Sequence, residues 1–197
     1  GRSDLYITKC KQGGAPGDPQ RTNLLYRNND DGTYSEVGAE ANMDDNAQSW
    51  STVFEDFDND GDFDAFIVNH DEQNRLMRNN GDGTFIDVID ASDINPTDLG
   101  AWENASGDFN NDGFMDFVAA REGGVVYLGN GTGMFINASG GLPSTSVYTF
   151  DDVQLLNADS DPQLEMGFCY DGGIFLYKWN GTIQQWQNIS GNLPSLG

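Results

Sequence analysis

Short runs of apolar residues separated by Gly, Asn and Asp recur along the whole chain. No long stretch has the period of an amphipathic helix, and Gly and Asn interrupt the runs too often for helices of ordinary length. The runs are rich in Phe, Tyr, Trp, Ile and Val, which favour β-strands. Many flank an Asn-Gly or Asp-Gly pair, which supplies the positive φ values of a tight hairpin turn. The pattern predicts an all-β protein built of short hairpins.

One hairpin pattern occurs four times. Residues 23–34 (NLLYRNNDDGTY) return at 74–85 as NRLMRNNGDGTF, and weaker copies stand at 125–135 and 174–183. The period of about 50 residues is typical of propeller blades and similar arrays. Each hairpin would form the outer half of a unit, and two inner strands would complete the four strands of one blade. A β-sandwich is the alternative fold, but it does not require that the same acidic loop return in each unit.

We therefore predict a single β-propeller portion over residues 1–197, made of about four blades of four antiparallel strands. The repeats lie at about 1–45, 46–97, 98–144 and 145–197. Residues 1–7 align with 61–67, so the first repeat lacks part of its acidic loop and the strand before that loop. A propeller commonly needs four to eight blades to close. We expect the chain to be part of a larger propeller, with further blades or domains in a longer protein.

The acidic loop of the second repeat has the spacing of a metal site. Carboxylates stand at positions 1, 3, 5 and 9, as Asp56, Asp58, Asp60 and Asp64. Alternate positions let a curled backbone direct three side chains at one centre, and Gly61 at position 6 permits the sharp turn. Calcium prefers six to eight hard oxygen ligands, and a main-chain carbonyl near Asp62 would join the carboxylates. The loop predicts a calcium site, whereas magnesium would fit less well.

Two further copies of this loop follow along the chain. The second copy has ligand positions at Asp108, Asn110, Asp112, Phe114 and Asp116. Asn110 is a neutral donor at position 3, so this site should be one charge weaker. The third copy has oxygen donors at Asn157, Asp159, Asp161, Gln163 and Glu165, but Pro162 replaces the glycine. We expect two calcium sites and a weaker third.

The loops have two alternative interpretations, an EF-hand and an acidic turn without metal. The first six positions match an EF-hand, but that motif needs a bidentate Glu at position 12, where Ile67 and Ala119 occur in apolar strands. An acidic turn without metal is the second interpretation. Two close copies about 52 residues apart argue against it, since a turn alone does not require this spacing of donors.

These loops, with the consensus D-x-D-x-D-G-x-x-D, and the N-N-x-D-G-T-[FY] hairpins resemble FG-GAP and VCBS repeats. Such repeats form the blades of integrin α-subunit propellers and of many secreted or surface proteins. The string at 76–85, LMRNNGDGTF, is most similar to repeats of the cartilage acidic protein and ASPIC/UnbV-like group. The resemblance implies a β-propeller whose calcium-binding loops join the first and second strands of the blades.

The charge of the chain limits the classes of partner that it can bind. The formal net charge is −23, from 32 acidic and 9 basic residues, so the chain should repel nucleic acid and anionic lipid. No apolar window approaches the length of a membrane span. Five N-x-[ST] sequons permit a secreted glycoprotein, at Asn104, Asn130, Asn137, Asn180 and Asn188. We expect an extracellular, secreted or cell-surface location.

Two functions fit this picture. The first is an adhesion, recognition or structural surface module that engages an extracellular protein or glycan, since every strong motif is repeated and structural. The alternative is the propeller domain of a polysaccharide lyase or hydrolase, or a lectin whose tryptophans stack on sugars. The candidate tryptophans are Trp50, Trp102, Trp179 and Trp186, although core packing is the simpler role for the first two. No catalytic constellation is recognisable around His70, the single histidine, so we predict no enzymatic activity.

Overall fold

A computed structural model describes residues 3–95, 103–120, 125–143, 153–170 and 173–192. Its strands are β1 (Leu5–Ile7), β2 (Leu24–Asn28), β3 (Tyr34–Glu36), β4 (Ser49–Glu55), β5 (Asp64–Asn69), β6 (Arg75–Asn79), β7 (Phe85–Asp87), β8 (Glu103–Gly107), β9 (Asp116–Ala120), β10 (Val125–Gly129), β11 (Phe135–Asn137), β12 (Val153–Leu156), β13 (Glu165–Tyr170), β14 (Gly173–Asn180) and β15 (Gln185–Asn188). Helical structure in these ranges is limited to α1 (Gly38–Ala41) and two 3₁₀ turns, Ile89–Ala91 and Ser190–Asn192. The prediction of an all-β chain is confirmed.

The strands form four antiparallel sheets, and within each sheet the spatial order of the strands is their order in the chain. We call the sheets blades 1 to 4: β1–β3, β4–β7, β8–β11 and β12–β15. Blades 2 to 4 have four strands each, as predicted. Blade 1 has three strands among the described residues, and β1 corresponds to the second strand of the other blades. This arrangement is that of propeller-like blades.

The hydrophobic core lies between neighbouring blades. Three buried clusters can be distinguished, and each draws side chains from two successive blades. The cluster between blades 1 and 2 contains Ala41, Met43, Ala65, Ile67 and Met77. The cluster between blades 2 and 3 contains Phe57, Phe66, Val68, Leu76, Ile89, Ile94, Phe117, Ala119, Tyr127 and Phe135. The cluster between blades 3 and 4 contains Phe109, Val118, Val126, Leu128, Ala138, Val153, Met166, Phe168, Tyr177, Trp179 and Trp186.

Strand β5 shows why the second strands are continuously apolar. Successive side chains of a strand point to opposite faces of its sheet. Phe66 and Val68 therefore enter the cluster shared with blade 3, whereas Ala65 and Ile67 enter the cluster shared with blade 1. Both faces of the strand are covered, so it has no solvated side to place polar residues on. The burial of Ile67 inside β5 also excludes the EF-hand interpretation for this loop.

Polar contacts connect the blades at their inner and outer edges. At the inner edge, the Ser106 hydroxyl of β8 donates to Glu55 Oε1 of β4 over 2.8 Å. At the outer edge, the Phe135 N–H donates to the Ser92 carbonyl over 2.9 Å, and the Trp186 N–H donates to the Gly140 carbonyl over 2.8 Å. These hydrogen bonds join blade 2 to blade 3 and blade 3 to blade 4.

Phe57 and Phe63 provide a matched test of the packing between blades. Phe57 is buried, with its ring 5.6 Å from Phe135 and 6.0 Å from Phe117 between centroids, whereas Phe63 in the same loop is 63% exposed. Phe57→Ala should lower the free energy of unfolding by about 3 kcal/mol or more, because it leaves a cavity between blades 2 and 3. Phe63→Ala should change it by no more than about 0.5 kcal/mol. Urea denaturation measures both, and equal losses would contradict the assigned interface.

Candidate metal centre

Each acidic motif lies between the first and second strand of a blade, as the resemblance implied. We name the motifs by their blades: loop 2 (residues 56–64), loop 3 (108–116) and loop 4 (157–165). Each begins directly after a first strand, and its ninth residue is the first residue of the second strand. The loops therefore turn the chain between two paired strands.

The backbone of loop 2 is curled by two left-handed residues. Asn59 has a φ of 62° and Gly61 a φ of 97°, a value that residues with a Cβ atom rarely adopt. The Asp56 carboxylate closes the curl by accepting hydrogen bonds from the N–H groups of Asp60 and Gly61, each over 3.1 Å. Asp60 Oδ1 then accepts from the Asp62 N–H over 3.0 Å. The first carboxylate is thus held by the turn that the glycine permits.

Three carboxylates of loop 2 meet at one point. Asp56, Asp58 and Asp64 each offer an oxygen, and these atoms lie within 4.8 Å of one another. Asp64 is buried. Both of its carboxylate oxygens accept hydrogen bonds from the backbone, one from Phe57 N–H over 3.2 Å and one from Asn79 N–H over 2.8 Å. Asp60 is not part of this close group. Of the five ligand positions predicted here, the side chains of three converge.

Asp58 Oδ1 is a buried oxygen without a hydrogen-bond partner. A buried polar atom in this state costs free energy unless a donor or a cation meets it. Burial, together with the carboxylates of Asp60 and Asp56, raises the pKa of Asp58 above its ordinary value. Burial likewise raises the pKa of Asp64 to about 6, with the Asp58 and Asp60 carboxylates adding to the effect. The group is short of positive charge.

Basic side chains supply little of that charge: the Arg78 guanidinium opposes the rise in the pKa of Asp58, but as the smallest of the causes. Within the described part of the chain, no Lys or Arg nitrogen lies within 4 Å of a carboxylate of loop 2. A divalent cation would meet the partnerless oxygen and neutralise the group. Three hard carboxylate oxygens in a flexible turn suit an ion such as calcium. The residues of loop 2 therefore fit a metal ion.

Loop 3 has the same backbone but fewer charges. Asn111 and Gly113 are left-handed, with φ values of 60° and 90°, and the Asp108 carboxylate accepts from the N–H groups of Asp112 and Gly113. Asn110 replaces the second carboxylate, and its Nδ2 donates to Asp112 Oδ2 over 2.9 Å. The loop keeps this backbone path with a neutral residue at position 3. Its carboxylates, Asp108, Asp112 and Asp116, do not form one of the groups of described residues whose oxygens lie within 4.8 Å of one another.

The ninth residue of loop 3, Asp116, is fully buried like its counterpart Asp64. Its oxygens accept from Phe109 N–H over 2.8 Å and from Gly129 N–H over 2.9 Å. Burial, with the carboxylates of Asp112 and Asp108 adding to the effect, raises the pKa of Asp116 to about 7. An ionised Asp116 is therefore costly in the absence of a cation.

In loops 2 and 3 the seventh residue lies over the hairpin turn of its own blade. A Cβ atom added at Gly81 would stand 3.1 Å from Asp62 Oδ2, and one added at Gly131 would meet the ring of Phe114 at 2.3 Å. Gln163, the seventh residue of loop 4, instead donates hydrogen bonds from its side-chain Nε2 to the carbonyls of Phe109 and Trp179. The seventh side chain thus packs loops 2 and 3 against their outer hairpins, and it attaches loop 4 to loop 3 and to β14.

Loop 4 has another backbone path. Pro162 stands where the other loops have glycine, and neither Ser160 nor Pro162 has a positive φ. The first residue, Asn157, donates Nδ2 to the Asp161 carbonyl, whereas the aspartates of loops 2 and 3 accept at this position. Asp159, Asp161 and Glu165 still offer oxygens within 4.8 Å of one another, so this group also has the spacing to hold an ion.

Lys178 stands among these three carboxylates. Its Nζ lies 2.5 Å from Asp159 Oδ2, 2.5 Å from Asp161 Oδ2 and 3.1 Å from Glu165 Oε1. Although burial alone would lower it, hydrogen bonds to Asp159 and Asp161 and the nearby charge of Glu165 raise the pKa of Lys178 above its ordinary value. Glu165 Oε1 forms an ion pair with the ammonium but has no hydrogen bond to it. The sequence pattern did not single out this residue, because residues 174–183 match the hairpin repeat and no acidic motif.

Strand register gives the signal that would have found it. Lys178 pairs directly with Glu165, the ninth residue of loop 4. One step along the register of β5 and β6 places Arg78 opposite Asp64, and the same step in blade 3 places Leu128 opposite Asp116. An alignment of the repeats that includes the residue opposite position 9 distinguishes the three loops, because that residue is Arg78, Leu128 or Lys178.

Among the described residues of blade 1, Asp4 occupies the ninth position of such a loop. Asp4 Oδ1 accepts from the Asn28 N–H over 2.9 Å, as Asp64 accepts from Asn79 in blade 2. Asp4 itself is exposed, in contrast to Asp64.

The tryptophans occupy places that differ from those expected. Trp179 and Trp186 are buried in the cluster between blades 3 and 4, with ring centroids 5.5 Å apart, so neither is available to stack on a sugar. Trp50 is 39% exposed beside His70, so its expected place in the core is wrong. Trp50 belongs to β4 and to none of the three buried clusters. Trp102 lies outside the described residues.

Comparison with known proteins places the repeats in a family. The sequence profile of the FG-GAP-like repeat matches residues 1–67 and again residues 56–119, and together these stretches cover more than half of the chain. The second match begins at the first residue of loop 2 and ends inside β9. No curated protein matches the chain, and none of the described helices has the length and apolar character to cross a membrane. The chain belongs to the FG-GAP-like repeat family.

Proposed function

We propose that this chain is a calcium-binding β-propeller module that acts outside the cell as an adhesion or recognition surface. The observation that carries the calcium assignment is the buried Asp58 Oδ1, which has no hydrogen-bond partner and belongs to a group with Asp56 and Asp64. Loop 3 would hold a second, weaker ion through Asp108, Asn110, Asp112 and Asp116. The four repeats form one propeller portion in this proposal.

The role of calcium would be structural, because loop 2 is part of the contact between blades. Phe57, its second residue, enters the core shared with blade 3, and its carbonyl accepts from the Gly133 N–H of the blade 3 hairpin over 3.3 Å. Phe109 occupies the equivalent place between blades 3 and 4. An ion that fixes these loops would fix the angle between blades. A rigid array of blade edges and loops would then be the binding surface.

We assign recognition rather than catalysis because the groups of three convergent carboxylates found among the described residues are those of loops 2 and 4. A carboxylate that binds calcium is a poor proton shuttle, since the ion holds it in the charged form. The lectin alternative depended on exposed tryptophans, and the burial of Trp179 and Trp186 removes two of its four candidates. An extracellular setting is supported by the exposed side chains of Asn130, Asn137 and Asn188, each in a glycosylation sequon. The partner class would be an extracellular protein or glycan.

Binding assays on the purified chain test the function. Protein pull-down and glycan-array binding should show a ligand in calcium that is lost in EGTA and recovered when calcium is added again. The same preparation should leave polysaccharides intact. Turnover of a polysaccharide, or ligand binding that is indifferent to chelation, would contradict the proposal.

Asp58→Asn separates metal binding from stability. With calcium, the variant should bind loop 2 calcium about tenfold or more weakly, because one charged ligand is lost. Without calcium it should be as stable as the parent or slightly more stable, since the change removes a carboxylate whose ionisation Asp56 and Asp60 oppose. Calorimetric titration and melting in EGTA and calcium measure these effects.

Glu40→Gln is the matched control for Asp58→Asn, because Glu40 is exposed, lies outside the loops and carries the same charge. It should leave calcium affinity and the calcium-induced rise in melting temperature unchanged. Equal effects of the two substitutions would indicate a response to net charge and would contradict a site in loop 2.

The raised pKa values predict an unusual pH dependence. Asp64 and Asp116 have pKa values of about 6 and about 7, above the ordinary value of 3.8, so the folded state binds more protons than the unfolded state between these limits. The free energy of unfolding in EGTA should therefore fall as pH rises from about 4 to about 7. Calcium should stabilise most at the upper end, where the carboxylates are ionised.

Urea denaturation across this pH range, with and without calcium, measures the effect. Asp116→Asn is the informative variant, since it cannot ionise and should flatten the dependence in EGTA, most clearly above pH 6. A slope that is unchanged in this variant would assign the pH dependence to the general excess of negative charge instead.

A further inference from the structure

The ammonium group of Lys178 occupies a cage of three carboxylates. Two of its contacts, to Asp159 and Asp161, are 2.5 Å long, and the third, to Glu165, is 3.1 Å. Glu165 is fully buried, and the side chain of Lys178 is only 20% exposed. A buried carboxylate needs a positive partner, and here the chain itself provides one.

The cage is held in place by the sheet. Glu165 and Lys178 are directly paired residues of β13 and β14, so the charged groups start from adjacent strands. The next residue, Trp179, is buried against Trp186 and anchors β14. Regular strand pairing therefore places Lys178 beside loop 4.

Loop 4 is also closed without the turn that loops 2 and 3 use. Pro162 excludes the left-handed conformation that Gly61 and Gly113 adopt. Instead, Gln163 Nε2 donates to the Phe109 carbonyl over 2.9 Å and to the Trp179 carbonyl over 3.0 Å. These bonds attach loop 4 to loop 3 and to β14 through protein groups alone.

The other blades have no such internal cation in the described residues. Arg78 occupies the register position of Lys178 in blade 2, but it is exposed and makes no ion pair with loop 2. Leu128 occupies the position in blade 3 and is buried in the apolar cluster. The acidic loops of these blades are left with unneutralised carboxylates.

We propose that the Lys178 ammonium is the resident cation of blade 4, which it makes independent of calcium by taking the place of a divalent ion in loop 4. The inference rests on the proposed function only in treating loops 2 and 3 as the calcium-dependent ones. Removal of calcium would then weaken the contacts of loops 2 and 3 while loop 4 stays closed. One side chain decides which blade needs a metal, and its loss leaves three converging carboxylates for a divalent ion.

Labelling of the unaltered chain provides the first test. The chain has three lysines, Lys9, Lys11 and Lys178. Reductive methylation with formaldehyde, followed by peptide mass spectrometry, should modify Lys178 at least about tenfold more slowly than the other two, because the cage disfavours the neutral amine that reacts. The rate at Lys178 should be the same in EGTA and in calcium. Labelling as fast as at Lys9, or acceleration by calcium, would show that the ammonium is not the resident cation.

Substitution provides the second test. Lys178→Gln should melt at a lower temperature than the parent in EGTA, recover with calcium and bind one additional calcium ion per chain by calorimetric titration. Arg78→Gln, which removes the same charge from the same register position of blade 2, should do neither. A Lys178→Gln variant as stable as the parent in EGTA would overturn the proposal.

Asp159→Asn distinguishes the two proposals. If the parent chain bound a divalent ion in loop 4, this substitution would lower the number of bound calcium ions, and that result would overturn the role of Lys178. If loops 2 and 3 bind no calcium, the parent shows no binding and Asp58→Asn no effect, while the labelling of Lys178 and its dependence on the cage still decide the present inference. Should Lys178→Gln not fold, the labelling experiment decides alone.

Discussion

Buried carboxylates lie close together at the turn between the first and second strands, and their charge affects both the turn and the packing between blades. In loop 2 the oxygens of Asp56, Asp58 and Asp64 stand within 4.8 Å of one another, and in loop 4 those of Asp159, Asp161 and Glu165 do the same. Burial raises the pKa of Asp58 and Asp64 in loop 2, and the neighbouring carboxylates add to the effect. Positive charge at this place is therefore a condition for a stable turn at neutral pH.

The turn matters beyond its own blade because it carries a residue of the core. Phe57 and Phe109, at the second position of loops 2 and 3, each enter the cluster shared with the following blade. The buried Asp64 and Asp116 hold the N–H groups of these same phenylalanines. Charge at the loop and packing between blades are thus coupled through one backbone hydrogen bond. An ion at the loop would act on the angle between blades rather than on a reaction.

The three loops solve the charge problem in different ways. Loop 2 gathers carboxylates, leaves Asp58 Oδ1 without a partner and so has the strongest demand for a cation. Loop 3 reduces the charge by placing Asn110 at the third position. Loop 4 gives up the left-handed turn and places Lys178 in the centre of its carboxylates. Repeats that share one sequence pattern therefore differ in their expected dependence on calcium.

The strands, hairpins and acidic loops could be predicted from the sequence, because each depends on residues near one another in the chain. The run from Ala65 to Val68 has the apolar character of a strand buried on both faces, and Gly61 marks a backbone that only glycine adopts easily. The positions of Lys178 in loop 4, of Trp186 in the core and of Trp50 at the surface became evident only from the structure. These outcomes depend on strand register and on the faces that neighbouring blades cover, and contacts between distant residues leave no periodic pattern in the chain.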